Sequence, residues 1–156
     1  MESRQYLKRF MIFWVIFVIL LLVIKAYFFD LVFIVGTSME PAYHSHQLVI
    51  TNRISPTYER FSVVIARSNG GNIIKRIIGL PGETVQIKNG AVYINGNELQ
   101  DVTNDHIEFA GTVAKPLKLG PEEYFLLGDN RNNSCDSRDE SIGIVTKAEL
   151  IGSVIA

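Results

Sequence analysis

The chain has 156 residues, with 15 Lys and Arg against 16 Asp and Glu, for a formal net charge of −1. No basic block occurs beyond the N-terminus, which argues against a nucleic-acid partner. Cys135 stands alone, so an intramolecular disulfide is excluded; His44, His46 and His106 lack ligand spacing, and no metal or other cofactor is expected.

Arg4, Lys8 and Arg9 precede an apolar run from Phe10 to Phe29 that only Lys25 interrupts. At about 1.5 Å per residue, 20 residues match a hydrocarbon core of about 30 Å. Lys25 lies near the far end, where its head can snorkel to the interface, and Trp14 and Tyr27 suit interfacial anchors. The flanking charges orient the run: residues 1–9 are predicted to be cytoplasmic, 10–29 a transmembrane anchor, and 30–156 a domain on the extracytoplasmic face. A cleaved signal sequence fits less well, because Tyr27-Phe28-Phe29-Asp30 contains no small-x-small pair. The expected location is the cell membrane, single-pass, with the lipid bilayer as a partner. Ser38 then follows too closely to lie far from the bilayer surface.

Beyond the anchor, short apolar runs recur between turn signals. Gln47–Asn52 and Ser62–Arg67 read as strands, followed by Ser68-Asn69-Gly70-Gly71 and a strand at Ile73–Ile78 that ends at Gly79-Leu80-Pro81-Gly82. Thr84–Lys88, Asn89-Gly90, Ala91–Ile94 and Asn95-Gly96 read as hairpins, since Asn-Gly between alternating strands supplies the positive φ angles of a tight turn. Residues 97–122 read as a loop-rich excursion. Tyr124–Leu127 and Ile142–Val145 are further strands, and Lys147–Leu150 a short helical turn. The roughly 120 residues after the anchor suffice for one domain of modest core. The fold class is mainly β, with one N-terminal transmembrane helix.

Three segments carry candidate chemistry. Ser38 sits in Gly36-Thr37-Ser38-Met39-Glu40-Pro41, and Lys75 in Ile73-Ile74-Lys75-Arg76-Ile77-Ile78-Gly79-Leu80-Pro81-Gly82-Glu83. A serine attacks an amide at neutral pH only if a base takes its proton. A lysine can be that base if apolar burial lowers its pKa from about 10.4. On a strand, Ile73 and Ile77 share a face with Lys75, and Arg76 points the other way. Each segment alone has a plainer explanation, a solvated turn serine and a snorkelling edge-strand lysine. The third segment, Gly128-Asp129-Asn130-Arg131-Asn132-Asn133-Ser134-Cys135-Asp136-Ser137-Arg138, would present Ser134, Asp136 and Arg138 side by side if extended.

In this order the three segments resemble the boxes of bacterial type I signal peptidases, S-M-x-P, K-R-x-x-G-L-P-G-[DE] and G-D-N-R-x-x-S-x-D-S-R. The resemblance runs from the anchor to about Val145. It implies barrel-like antiparallel sheets and a membrane-bound serine endopeptidase that cuts signal peptides from exported preproteins after small residues. Ser38 would be the nucleophile and Lys75 the general base. Ser134 would hydrogen-bond the lysine amine, with Asp136 and Arg138 as a bracing ion pair. The Ser38 N–H would give one oxyanion donor, and Ile34, Val35, Gly36, Met39, Ile73 and Ile74 would belong to the substrate-binding surface. A lysine base also implies a bacterial origin, because eukaryotic relatives place histidine there.

The chain departs from the pattern in three places. Gly36 stands where many members carry a Ser or Thr whose hydroxyl is the second oxyanion donor. Pro41-Ala42-Tyr43 replaces P-T-L, and Phe61-Ser62-Val63-Val64 replaces G-D-[IV]-V. Two alternatives belong to the same resemblance: a peptidase dedicated to pilins or other narrow clients, and a non-catalytic assembly chaperone for surface fibres. The chaperone would be expected to lack Ser38 or Lys75.

Overall fold

The computed structural model describes residues 2–52, 58–103 and 105–155. Helix α1 (Glu2–Phe28) contains a stretch, Arg4–Val23, that is long and apolar enough to cross a membrane. Its apolar side chains are exposed all round, from Tyr6 to Val23, as suits a helix surrounded by hydrocarbon. The helix stops one residue short of the predicted Phe29, which already opens strand β1 (Phe29–Phe33).

The further strands are β2 (Leu48–Asn52), β3 (Val63–Ser68), β4 (Gly71–Gly79), β5 (Thr84–Lys88), β6 (Ala91–Ile94), β7 (Asn97–Glu98), β8 (Leu117–Lys118), β9 (Glu123–Leu127), β10 (Val145–Thr146) and β11 (Leu150–Ile155). Among the described residues they form two antiparallel sheets, of order β1-β2-β11-β3-β4-β9-β10 and β7-β6-β5-β8. The Asn-Gly hairpins form as expected: Asn89 and Gly90 take φ of 52° and 76°, Asn95 and Gly96 φ of 52° and 85°. Asn69-Gly70 closes a further hairpin in which Ser68 pairs with Gly71.

Strands β4 and β9 organise the core because both are buried on two faces. Ile78, Phe125 and Leu127 join the four-stranded sheet's Val85, Ile87, Val92 and Ile94 in one apolar cluster. Ile77, Tyr124 and Leu126 point the other way, into a second cluster with Val64, Ala66, Val145 and Leu150. A strand covered on both sides reads as a continuous apolar run, which is why Tyr-Phe-Leu-Leu does not alternate. β4 ends at Gly79, where a Cβ would lie 2.6 Å from Val85 Cγ2.

Two expectations need correction. The helical turn expected at Lys147–Leu150 is confined to a 3-10 turn at Lys147–Glu149, and Leu150 opens strand β11, which lies between β2 and β3. Residues 142–144 are a turn rather than a strand, with the Ile142 and Gly143 N–H groups both donating to Asp139 O. Residues 128–138 form turns and bends, so the extended arrangement that would align Ser134, Asp136 and Arg138 on one face is not adopted. The replaced glycine of G-D-[IV]-V has a conformational trace, since Phe61 adopts φ 68°, a region costly for a bulky residue. Its N–H donates to Ile77 O and its side chain packs on the first apolar cluster.

Candidate active site

Lys75 lies on β4 opposite Val64 of β3, and its neighbours on that face, Ile73 and Ile77, pack into the second apolar cluster. The residue is only 4% exposed. Burial disfavours the ammonium form and holds its pKa below the ordinary lysine value. The carboxylates of Asp136 and Asp129 pull it upward, and Arg138 adds to the depression.

Ser38 comes from the loop that follows β1. Main-chain bonds from Ile34 N to Gln47 O and from His46 N to Ile34 O continue the β1–β2 pairing past Phe33 and close the base of this loop. Met39 is wholly buried and pins the loop, leaving Ser38 half-buried at its edge. Ser38 Oγ and Lys75 Nζ stand 2.6 Å apart, although the residues are 37 positions apart in the chain. An ammonium at that distance donates to the hydroxyl, whereas a free amine accepts the hydroxyl's proton.

The turns of residues 128–138 back this pair with buried charge. Arg138 Nε and Nη2 donate to the two oxygens of Asp136, each at 2.8 Å, and neither residue is more than 3% exposed. The Gly128 N–H adds a third donor to Asp136, and Arg138 Nη2 also reaches the Arg131 carbonyl. A second forked pair joins Arg76 Nε and Nη2 to Asp129 at 2.7 and 2.5 Å, tying β4 to the start of the turn segment. The same guanidinium caps Phe61 O. Arg131, fully buried, pairs with Asp101. Ser137 brackets β9, its N–H donating to Leu126 O and its hydroxyl accepting from Leu126 N–H.

Ser134 differs from the expected arrangement. Its hydroxyl is buried but has no hydrogen-bond partner, so the bond to the lysine amine implied by the resemblance is not formed. The turn packs Ser134 against Gly128 instead, where a Cβ would lie 2.1 Å from Ser134 Oγ and 2.5 Å from Ser38 O.

A cavity of about 230 Å³ opens beside Ser38 and Lys75. Ile34, Val35, Ile73 and Ile74 line it, together with Val32, Phe33, Ile65 and Asn72, which the sequence did not single out. Met39 does not line it, being enclosed beneath the loop; nor does Gly36, whose φ of 98° turns the chain into that loop. A larger cavity of about 390 Å³ lies between Asn89 and Ile107 and contains none of the candidate site residues. Asp129 and Asn130 fall inside the third segment, yet their partners Arg76 and Thr37 lie so far along the chain that no spacing rule reveals them.

The family described as signal peptidase, peptidase S26, matches residues 7–156. A signal peptidase I from Bacillus amyloliquefaciens is 33% identical over 153 residues, covering 89% of this chain and 80% of that protein. Signal peptidase I S from Bacillus subtilis (strain 168) is 33% identical over 151 residues, covering 89% and 82%. The crystal structure of a signal peptidase I from Enterococcus faecalis V583 is 32% identical, with a TM-score of 0.53, covering 64% of this chain and 97% of that one. The fold is thus that of a signal peptidase I, and the chain belongs to the signal peptidase family, peptidase S26, as a serine peptidase.

Proposed function

We propose that this protein is a membrane-bound endopeptidase that removes N-terminal signal peptides from exported preproteins, using Ser38 as nucleophile and Lys75 as base. The observation that carries this is the 2.6 Å approach of the hydroxyl to a lysine buried among isoleucines. Neutral Lys75 accepts the Ser38 proton as Oγ attacks the scissile carbonyl, whose oxygen becomes an oxyanion held by the Ser38 N–H. The ammonium so formed protonates the leaving amine, leaving an acyl-enzyme ester and a neutral lysine. That amine then takes a proton from water as the water attacks the ester, and returns it to Ser38 Oγ. Substrate residues before the cut occupy the cavity walled by Ile34, Val35, Ile73 and Ile74. Its modest size favours small side chains such as alanine.

Residues 10–29 anchor the chain, 1–9 lie in the cytoplasm and 30–156 form the catalytic domain on the extracytoplasmic face. The surface of the sheet supports a site at membrane level. Leu31 pairs with Ile50 and Phe33 with Leu48 across β1 and β2, and Ile155 of β11 also faces Ile50; all five are exposed. The opposite face buries Val49 and Thr51, so the apolar side of these strands is the outward one. It continues directly from α1 and ends at Val35, 82% exposed, beside the cavity. An apolar patch of this kind suits contact with lipid.

The test is cleavage of a synthetic peptide with Ala-x-Ala before the bond by detergent-solubilised protein. Ser38→Ala and Lys75→Ala are each expected to abolish cleavage at unchanged circular dichroism, because nucleophile and base act as one unit. Substantial cleavage by either folded variant rules out the dyad.

A further inference from the structure

An oxyanion donor works only if it is aimed before the charge develops, so whatever fixes the Ser38 N–H deserves as much interest as the base. That N–H belongs to the peptide joining Thr37 to Ser38. A trans peptide is planar, with its C=O and N–H pointing in opposite directions, so holding the Thr37 carbonyl aims the Ser38 N–H. Asn130 Nδ2 donates to Thr37 O at 3.2 Å, while the Asn130 main-chain N–H donates to Ser38 O at 3.0 Å. One residue therefore grips the carbonyls on both sides of the nucleophile. Asn133 Nδ2 adds a bond to Thr37 Oγ1 at 3.1 Å, and Gly128 lets the Ser38 carbonyl approach where any side chain would collide. Among the described residues the Ser38 N–H itself has no protein partner, and it stays available for a ligand.

We propose that Asn130 is a positioning residue that aims the Ser38 N–H at the developing oxyanion by fixing the Thr37–Ser38 peptide. Only the amide nitrogen can serve a carbonyl, so the side chain must present Nδ2 to Thr37 O. Among the described residues the one other donor to that carbonyl, Glu40 N at 3.2 Å, lies within the same loop and moves with it. Among the described residues, Asn130 is the link from this peptide's carbonyl to the turns held by the two forked arginine pairs, while Asn133 reaches only the Thr37 side chain. The proposal rests on Ser38 being the nucleophile and adds to that reading a second requirement, separate from the base.

The experiment compares wild type, Asn130→Ala and Asn130→Asp in peptide cleavage and in binding a peptide boronate of the same sequence, which becomes tetrahedral on Ser38. Asn130→Asp keeps the shape and the main-chain bond but turns the donor into an acceptor. Both variants are expected to lose about 10- to 100-fold in kcat with KM nearly unchanged, less than deletion of a donor because the N–H is misaimed rather than removed. Boronate affinity should fall by the same factor. The acid limb of the pH profile should not move, since Lys75 is untouched. A role in packing alone gives another pattern, a lower melting temperature or a raised KM in Asn130→Ala and near wild-type turnover in Asn130→Asp. That pattern, or a shifted acid limb, overturns the proposal. Ser38→Ala run beside these variants separates the two readings. Cleavage by Ser38→Ala overturns both, whereas an inactive Ser38→Ala with wild-type kcat in Asn130→Asp overturns the positioning role alone.

Discussion

In the four-stranded sheet, β5, β6 and β7 follow one another through two-residue Asn-Gly turns, and β5 and β6 bury Val85, Ile87, Val92 and Ile94 at every second position. Residues 128–138 have no regular structure and bury Asp129, Arg131, Asp136, Ser137 and Arg138. The hairpins are held by local turn chemistry and apolar burial, which tolerate change in small steps. The turn segment is held by charges removed from water, each tolerable only while its partner stays in place. Support for the site therefore depends on single residues, and support for the satellite sheet is spread over many.

The largest effect is expected from breaking the buried pair. Asp136→Ala leaves the Arg138 guanidinium without its forked partner in a site almost closed to water, a change that costs about 3–5 kcal/mol. Activity should be lost and the melting temperature should drop steeply. The double variant Asp136→Ala/Arg138→Ala should recover part of that stability, because no uncompensated charge remains. Thermal melts of the three proteins decide the matter. If Asp136→Ala melts like wild type, buried charge does not brace this segment.

Two glycines sharpen the same contrast at smaller amplitude. At Gly128 an added Cβ meets Ser134 Oγ at 2.1 Å and the Ser38 backbone carbonyl at 2.5 Å, so Gly128→Ala must push against both Ser134 and the Ser38 backbone. Overpacking of this kind costs about 1–3 kcal/mol, and peptide cleavage should fall by more than the melt indicates. At Gly90 the φ of 76° strains any side chain by about 1–2 kcal/mol, and the neighbour that must yield is the exposed ring of His106. Gly90→Ala should lower the melting temperature modestly and leave kcat intact. Equal losses of activity in the two variants would erase the distinction between the regions.

The contrast also governs how much was legible in the sequence. The hairpins and the strands around Lys75 follow from Asn-Gly pairs and period-two alternation, both local signals. β11 escaped because Ile151 and Val154 straddle Gly152 and Ser153, diluting the alternation, and because its place between β2 and β3 depends on partners about 100 residues away. In the site, Ser38, Lys75, Asp136 and Arg138 were visible through the motifs that carry them. Residues 128–138 are not extended, because Asn, Gly, Asp and Ser favour turns here, and the chain folds back at Asn130–Asn133 and Asp136–Asp139. The pairs Arg76–Asp129 and Asn130–Thr37 join residues 53 and 93 positions apart, a distance at which no spacing rule operates.

The central claim is that a buried, neutral Lys75 activates Ser38, and the pH dependence of kcat/KM for peptide cleavage tests it most directly. The sign follows from burial, which disfavours the charged amine, so the active form gains as pH rises through a depressed pKa. Activity should climb on an acid limb whose midpoint lies well below the ordinary lysine value of about 10.4 and level off once Lys75 is neutral. A limb centred near the ordinary lysine value would contradict the account, because it would mean that the lysine beside Ser38 is solvated and charged at the pH where the enzyme works.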